Sequence, residues 1–569
     1  MEKEVLISFQ DFGFQYTAQA EPTLFHINLD IHRGEKVLIA GPSGCGKSTL
    51  AHCINGLIPA SYPGKITGSL TVKGVDAQKQ GLFSLSKTVG TVLQDSDGQF
   101  IGLTVAEDIA FALENDCVER DEMHRIVEKA ADLVDIRSVL GHAPHEISGG
   151  QKQRVGLAGV MVGQVDVLLF DEPLANLDPA TGKQAIELID EIQQKTGCAV
   201  IIIEHRLEDV LHRHVDRVVL MGDGKIVFDG TPDDLLCSAL LRDSGIREPL
   251  YVTALKYAGV TLTPDMHPAS LRDLSLTPEQ QDTVRNWFLQ IPSPEQLPAR
   301  PLLLDAKDVD FTYSGGHHAL KGVSVSIYKG EMLSIVGTNG AGKSTFSKTI
   351  CGFETPQSGK LTLNGEDLAH LSIKERADKI GYVMQNPNQM ISCTMIYDEV
   401  ALGLRNRGVP EEEIRSRVEE TLKTCGLYPF RNWPVSALSY GQKKRVTIAS
   451  ILVLRPEILI LDEPTAGQDF YHYTEIMEFL RQLNRQGVTI ILITHDMHLM
   501  LEYTPRAVVF HDGTIICDTS AAQVLNTPDI VKQAHLKETS LYHLAQQCGI
   551  TPPEEFTRRF IAWDQEARK

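Results

Sequence analysis

Two glycine-rich segments carry the pattern Gly-x-x-x-x-Gly-Lys-Ser, which is suited to binding phosphate. Their sequences are GPSGCGKST and GTNGAGKST. Glycines allow backbone N–H groups to converge on phosphate oxygens, the lysine reaches the β- and γ-phosphates, and the serine hydroxyl can ligate Mg²⁺. Both segments follow an apolar run and open a predicted helix, as this chemistry requires. The predicted nucleotide-binding residues are Gly41, Pro42, Ser43, Gly44, Cys45, Gly46, Lys47, Ser48, Thr49, Gly337, Thr338, Asn339, Gly340, Ala341, Gly342, Lys343, Ser344 and Thr345.

A carboxylate pair follows each glycine-rich segment at the end of an apolar strand. The runs VDVLLFDE and EILILDE end in Asp171-Glu172 and Asp462-Glu463. The carboxyl end of a buried parallel strand places the aspartate near bound phosphates, where it can hold Mg²⁺ through water. The neighbouring glutamate can then polarise the attacking water. A strand-ending turn is the alternative for an isolated Asp-Glu-Pro triplet, and the upstream loops favour the catalytic interpretation.

A second kind of anion site is predicted where a serine precedes a helical run. The segments SGGQ and SYGQ stand before KQRVGLAGV and KKRVTIASI. A serine N-cap with small neighbours leaves backbone N–H groups open to an anion, and a plain capped helix is the alternative. The two glycine-rich loops and the two serine-capped turns are four candidate phosphate sites. Two nucleotides need fewer, unless each nucleotide is held by both halves of the chain. The predicted residues are Ser148, Gly149, Gly150, Gln151, Ser439, Gly441 and Gln442.

These motifs recur in the same order in the two halves of the chain. The glycine-rich segments are offset by 296 residues, Gln94 and Gln385 by 291, and His205 and His495 by 290. The near-constant spacing of five motifs predicts two homologous units arranged head to tail. The expected boundaries are 1–240 for the first domain, 241–301 for a proline-rich linker, 302–540 for the second domain and 541–569 for a C-terminal helical tail.

Apolar runs of strand length alternate with helical stretches in each half. Residues 36–40, 166–170 and 200–203 form almost continuous apolar runs, which predict buried parallel strands. The stretch from about 106 to 140 has helical spacing and predicts a helical subdomain inserted between Gln94 and Ser148. We therefore expect an α/β fold built from βαβ units.

Composition limits the class of protein. The chain has 569 residues and a net charge of −20, so nucleic acid is not an expected partner. The ten cysteines form no CxxC pair and are expected to be reduced thiols. No secretory signal is recognised, and no apolar run approaches the ~20 residues that span a bilayer. We therefore expect a cytoplasmic protein, and any membrane passage must come from other chains.

The combined motifs resemble the ATP-binding cassette (ABC) ATPases over about 470 of the 569 residues. This resemblance implies two tandem P-loop ABC ATPase domains, each a RecA-like core with an inserted helical subdomain. It also implies ATP hydrolysis with Mg²⁺ at two composite sites, in which Lys47 faces Ser439 and Lys343 faces Ser148. One departure from the family pattern is Tyr440, which replaces the first glycine of the second signature segment. Its side chain predicts a more crowded phosphate site there, so the two nucleotide sites are expected to be unequal.

The resemblance assigns roles to individual residues. It makes Tyr16 and Tyr313 the aromatic residues that stack on adenine, and it places Asp178 and Asp469 in D-loops. The expected catalytic residues are Glu172, Glu463, His205, His495, Gln94 and Gln385. The expected Mg²⁺ ligands are Ser48, Gln94, Asp171, Ser344, Gln385 and Asp462.

Three classes of ABC ATPase compete: a transporter motor, a soluble translation-type ATPase and a DNA-repair ATPase. The 54 residues from each glutamine to each signature serine leave no room for the coiled coil of repair ATPases, and residues 241–300 lack the basic excess of translation-type arms. The segments after Gln94 and Gln385 look like those of energy-coupling factor (ECF) importers. That family implies a peripheral protein on the cytoplasmic face of the cell membrane. Its partners there are a transmembrane coupling protein and a small substrate-binding membrane protein for vitamins, vitamin precursors or metal ions. A tandem ATPase of a sugar-type importer is the alternative.

Acidic residues cluster behind both of these glutamines without Lys or Arg. They include Asp97, Glu107, Asp108, Asp398 and Glu399. One interpretation is a solvated helix start, where carboxylates favour the helix dipole. The other is a docking groove for basic helices of the membrane coupling protein.

Overall fold

The computed structural model describes residues 4–93, 97–175, 177–294, 300–465, 468 and 470–568. The chain forms two compact units, Met1–Val284 and Arg285–Lys569. Within the described ranges, no helix is both long and apolar enough to cross a lipid bilayer.

The first unit contains an antiparallel sheet with the strand order β2-β1-β4-β5 and a second sheet with the order β10-β9-β3-β8-β7-β6. In the second sheet, β9, β3, β8, β7 and β6 are parallel and β10 is antiparallel. The strands are β1 Val5–Tyr16, β2 Leu24–His32, β3 Lys36–Ala40, β4 Gly64–Val72, β5 Val75–Asp76, β6 Val89–Val92, β7 Val167–Asp171, β8 Ala199–Ile203, β9 Arg217–Gly222 and β10 Lys225–Gly230.

Helices of the first unit flank the second sheet and build a separate helical subdomain from α4, α5 and α6, which pack against one another. The helices are α1 Lys47–Ile54, α2 Leu57–Ala60, α3 Leu82–Ser86, α4 Val105–Asn115, α5 Arg120–Leu133, α6 Gly149–Met161, α7 Pro179–Thr196, α8 Leu207–Val210, α9 Pro232–Cys237, α10 Leu240–Asp243, α11 Leu250–Tyr257 and α12 Pro278–Gln290, which spans the boundary between the units.

The second unit repeats this architecture, with sheets of the order β12-β11-β14-β15 and β16-β17-β18-β13-β19-β20. The strands are β11 Leu302–Thr312, β12 His318–Tyr328, β13 Met332–Gly337, β14 Ser358–Leu363, β15 Glu366–Asp367, β16 Ile380–Val383, β17 Ile458–Asp462, β18 Thr489–Ile493, β19 Arg506–His511 and β20 Thr514–Thr519. The helices are α13 Lys343–Cys351, α14 Ile373–Ala377, α15 Ile396–Arg405, α16 Glu411–Thr424, α17 Tyr440–Leu452, α18 Phe470–Arg485, α19 Met497–Tyr503, α20 Ala521–Leu525, α21 Pro528–Gln533, α22 Ser540–Gln547 and α23 Pro553–Ala567.

Buried parallel strands explain where the polar motifs end up. The side chains of 167–170 and 199–203 are almost fully buried, as expected for strands covered on both faces. Because β8 lies between β3 and β7, the residues that follow β8 lie between the glycine-rich loop and the carboxylate pair. The order β13-β18-β17 repeats this arrangement. The predicted α/β fold with an inserted helical subdomain is confirmed.

Short helices follow the second sheet in each unit. In the first unit α11 leads into Gly259, and in the second unit α22 leads into Gly549, both with positive φ. Helix α11 lies in the segment 241–301, which the sequence predicts as a linker. Helix α22 lies at the start of the predicted C-terminal tail, 541–569. The domain boundaries given above stay predictions.

Candidate nucleotide-binding sites

Each glycine-rich loop connects a buried strand to a helix whose first turn is open. Gly46 and Gly342 precede α1 and α13 with φ of 102° and 100°, a conformation that favours glycine. A Cβ atom at Gly46 would approach the Leu24 side chain to 2.7 Å, and one at Gly342 would approach the Ala319 carbonyl oxygen to 2.4 Å. The backbone therefore requires glycine at these positions, and neither helix N-terminus is capped by a side chain, which leaves its N–H groups for a phosphate.

The loop lysines lie inside their own loops. Lys47 Nζ donates hydrogen bonds to the carbonyl oxygens of Gly41 and Pro42, both at 2.8 Å. Lys343 Nζ makes the same bonds to Gly337 and Thr338, both at 2.8 Å. Both ammonium groups are thus held within the predicted cradle, which fits a bound anion. The other predicted loop residues lie in the same two turns: Ser43, Gly44, Cys45, Asn339, Gly340 and Ala341.

The first strand-ending aspartate fits a Mg²⁺ ligand. Burial raises the pKa of Asp171, and Lys47 and a hydrogen bond from Ser48 oppose that rise. Its Oδ1 atom is buried and has no hydrogen-bond partner in the described part of the chain. A buried carboxylate oxygen beside a serine hydroxyl is the kind of hard oxygen ligand that Mg²⁺ prefers.

The second aspartate has an additional partner that the motif did not predict. Ser344 Oγ lies 3.5 Å from Asp462 Oδ2, and the hydroxyl of Tyr382 donates to the same oxygen at 2.8 Å. Thr91 stands at the position equivalent to Tyr382 in the first unit. A comparison of the two halves would have shown this substitution but not the contact.

The neighbouring glutamates have strained backbones and raised pKa values. Glu172 and Glu463 adopt φ of 50° and 45°, a left-handed conformation that is uncommon for non-glycine residues and often marks functional sites. Burial, with Glu204 and Asp171 nearby, raises the pKa of Glu172 to about 7. Burial, with Asp462 nearby, raises the pKa of Glu463 to about 8. Both carboxyl groups are therefore suited to accepting a proton near neutral pH.

A histidine lies beside each glutamate. The Nδ1 atom of His205 lies 4.0 Å from Oε1 of Glu172, whereas the Nε2 atom of His495 lies 3.4 Å from Oε1 of Glu463. Burial and the charge of Lys343 lower the pKa of His495 to about 3, so its imidazole is neutral. The two histidines thus present different nitrogens to their glutamates.

The predicted adenine-stacking tyrosines lie beside the phosphate loops. The hydroxyl of Tyr16 hydrogen-bonds to Thr49 Oγ1 at 3.0 Å, and that of Tyr313 to Thr345 Oγ1 at 3.1 Å. This contact ties each ring to the helix that follows the loop. Stacking on adenine stays a prediction for both.

Comparison with known proteins identifies the family. A family model described as ABC transporter matches residues 24–175 and 320–466. A protein of Enterococcus faecalis is 59% identical over 570 residues, and one of Clostridium perfringens is 56% identical over 568 residues, with 100% of each chain covered. Both relatives are named as predicted ABC transporter ATP-binding proteins. The chain belongs to the ABC transporter ATP-binding protein family.

Two further similarities concern parts of the chain. A model described as ATP-binding cassette cobalt transporter matches residues 238–311. The solved structure of cbiO1 from Clostridium perfringens, described as part of the ABC transporter complex cbiONQ, is 35% identical and covers 43% of this chain and 99% of its own, with a TM-score of 0.39. The predicted tandem ABC ATP-binding organisation is confirmed by the two matched regions of the family model.

The ABC signature segments form capped helix starts. Ser148 Oγ accepts the N–H of Gln151 at 3.3 Å while Gln151 Oε1 accepts the N–H of Ser148 at 2.9 Å. Ser439 and Gln442 form the same capping box at 3.3 Å and 3.0 Å. The remaining signature residues, Gly149, Gly150 and Gly441, lie in the first turns of α6 and α17. The capped helix is thus observed, and nucleotide binding by these turns stays a prediction.

The second signature helix is tied to the segment of Gln385 by a buried lysine. Lys444 is 1% exposed, and its Nζ donates to the carbonyl oxygens of Met384 at 2.8 Å and Gln385 at 2.7 Å. Burial lowers its pKa to about 8. The equivalent Gln153 of the first unit instead donates to the Pro173 carbonyl at 2.6 Å. The two cassettes therefore brace their signature helices differently, which the local motif did not predict.

Two of the acidic residues predicted as docking residues anchor loops of their own chain. The Oδ1 atom of Asp108 accepts the N–H groups of Ile101 at 2.8 Å and Gly102 at 3.2 Å. The Oε2 atom of Glu399 accepts those of Ser392 at 2.9 Å and Cys393 at 2.7 Å. These carboxylates hold the segments that follow the glutamines against α4 and α15.

The remaining predicted residues either contact other parts of the chain or lie outside the residues that the structure describes. Glu107 completes the capping box of α4, and Asp398 forms an ion pair with Arg405. Asp178 is the N-cap of α7 and accepts the N–H of Thr181 at 2.9 Å. Gln94, Asp469 and the side chain of Asp97 lie outside the described residues.

Proposed function

We propose that the chain is the ATP-hydrolysing, energy-coupling subunit of an importer of the energy-coupling factor type. The observation that supports this most directly is the same trio of lysine, glutamate and histidine in each cassette. Lys47, Glu172 and His205 form one set, and Lys343, Glu463 and His495 form the other. The match of residues 238–311 to the ATP-binding cassette cobalt transporter model favours this importer class over the sugar type.

The residues of the chain have separate tasks in this proposal. When bound, ATP supplies the phosphoanhydride bond and Mg²⁺ offsets the phosphate charge. Lys47 and Lys343 donate to phosphate oxygens, and Ser48 with Asp171 and Ser344 with Asp462 hold the cation. Ionised Glu172 and Glu463 accept the proton of the attacking water.

We further propose that each nucleotide is shared by both cassettes. The loop of Lys47 pairs with the signature turn of Ser439, and the loop of Lys343 pairs with that of Ser148. Two phosphate loops and two capped signature turns support this pairing, because each turn offers backbone N–H groups at a helix N-terminus. Closure on ATP and opening after hydrolysis then move the helical subdomains.

The proposed partners are a transmembrane coupling protein and a small membrane protein that captures a vitamin, a vitamin precursor or a metal ion. The subunit is then peripheral on the cytoplasmic face of the cell membrane. The exposed side chains of Ile101, Leu103 and Phe111 support a partner at the first helical subdomain, because they leave apolar surface uncovered beside α4.

Purification from native membranes tests the proposal. The tagged chain is solubilised in mild detergent, its partners are identified by mass spectrometry, and ATP hydrolysis by the complex is measured. We expect a coupling protein and a small multi-span protein in fixed stoichiometry, with hydrolysis abolished by Glu172→Gln together with Glu463→Gln. Two large membrane subunits and a sugar-binding protein would assign the sugar type, and ribosomal proteins without membrane partners would refute transport.

A further inference from the structure

A buried glutamate lies beside the histidine of the first cassette only. Glu204 follows β8 directly and is 0% exposed. Thr494 occupies the equivalent position after β18 in the second cassette, where the sequence reads ITHD instead of IEHR. Because both residues precede the site histidine, the chain contains two versions of the same site that differ at this position.

Glu204 contacts His205 and Arg206, and the Nε atom of the Arg206 guanidinium lies 3.8 Å from Oε1 of Glu204. Its Oε1 atom accepts the backbone N–H groups of His205 at 2.9 Å and Arg206 at 3.2 Å, and it lies 3.2 Å from Nδ1 of the His205 ring. Its Oε2 atom is buried and accepts no hydrogen bond from the residues that the structure describes. A buried carboxylate is unfavourable unless donors surround it, so the close approach of Nδ1 favours the His205 tautomer whose proton is on that nitrogen.

The second cassette lacks this interaction. Thr494 Oγ1 lies 3.4 Å from Oε2 of Glu463, and Nδ1 of His495 has no hydrogen-bond partner among the described residues. The Nε2 atom of His495 faces Glu463 instead. The proton position on an imidazole is set by the hydrogen bond of the other nitrogen, so the two rings should differ in tautomer.

We infer that Glu204 is a positioning residue that keeps the proton on Nδ1 of His205 and thereby presents Nε2 to the nucleotide. The functional part of this inference rests on the proposed ATP hydrolysis. Glu204 acts through His205 and touches no reacting atom. The two proposed catalytic sites are then chemically unequal, because the histidine of the first has a second carboxylate, Glu204, at Nδ1 and that of the second has none there within the described part of the chain.

Nitrogen NMR of the full-length, nucleotide-free chain labelled with ¹⁵N-histidine tests the inference. His205→Gln assigns the ring signals. We expect the Nδ1–H form of His205 in the parent chain and in Glu204→Gln, whose amide oxygen still accepts the proton, and the Nε2–H form in Glu204→Thr. The reciprocal Thr494→Glu should convert His495 to the Nδ1–H form, which keeps the test open if Glu204→Thr does not fold.

Steady-state hydrolysis supplies the functional readout. Glu204→Thr should lower kcat about tenfold with KM changed less than about twofold, because tautomer selection acts on catalysis rather than on binding. Glu204→Gln should retain most of the parent kcat. An Nε2–H ring in the parent, or the same tautomer in the parent and in Glu204→Thr, would overturn the inference. Absence of hydrolysis by the parent would refute the proposed function and leave the NMR result decisive for Glu204.

Discussion

Glu399→Ala should release the segment that follows Gln385. The Glu399 carboxylate is 4% exposed and accepts the N–H groups of Ser392 and Cys393. Alanine removes the one carboxylate oxygen, Oε2, that accepts both bonds, and leaves the two backbone donors without it. The adjacent Asp398 is a matched control, because its side chain is 46% exposed and its partner is the surface residue Arg405.

The expected magnitude follows from the contacts. A hydrogen bond to a charged acceptor contributes about 1.5–3 kcal/mol, and the lower value suits this partly exposed segment. The loss of two such bonds lowers the free energy of local opening by about 3 kcal/mol, which corresponds to exchange about 100-fold faster. An exposed ion pair contributes about 0–1 kcal/mol, so Asp398→Ala should change exchange by less than about fivefold.

Hydrogen–deuterium exchange of the peptide that contains Ser392 and Cys393 measures the effect. The prediction is a large acceleration in Glu399→Ala, a small one in Asp398→Ala, and an unchanged exchange pattern in the first unit. Equal effects of the two variants would refute the anchoring role. They would favour the interpretation of Glu399 as one of the solvated acidic residues at a helix start.

Three further predictions concern the sites. Lys444→Met should lower the free energy of unfolding by about 2 kcal/mol, because two carbonyls lose their donor. Lys444→Gln should lower it less. Urea unfolding followed by tryptophan fluorescence compares the two variants. The pKa values of Glu172 and Glu463 are raised to about 7 and about 8, and only the ionised form accepts a proton, so kcat should rise from about pH 6 to about pH 9; a falling profile would contradict this. Tyr440→Gly should increase ATP affinity up to about tenfold at the site that we propose it shares with Lys47, because the crowding tyrosine is removed. Calorimetry measures this affinity in a chain whose other glycine-rich loop, that of Lys343, is inactivated.

Much of the fold could be predicted because its determinants are local. The glycine-rich loops and the apolar runs before Asp171 and Asp462 lie within short stretches of sequence, and their near-constant offset reveals the repeat. Together they predict the order of the strands, the helices and the strand-ending carboxylates. The tandem fold follows from this order because parallel strands bring their carboxyl ends to one edge of the sheet.

The partners of these residues could not be predicted, because they come from distant parts of the chain. Tyr382 contacts Asp462 and Lys444 contacts Gln385 only after folding brings together elements that are many residues apart. Glu399 looks like part of a solvated acidic helix start in sequence, yet it is buried and accepts two backbone N–H groups. Differences between equivalent positions, such as Glu204 and Thr494, were the signal available without a structure.

The most direct test of the account measures steady-state ATP hydrolysis by Glu172→Gln and Glu463→Gln separately, with ATP binding as the control. Each variant should still bind ATP, because the loop lysines are unchanged. Each should reduce hydrolysis at least about tenfold, because both sites are proposed to drive one opening motion. Hydrolysis at the parent level in either variant would contradict the claim that both cassettes are catalytic.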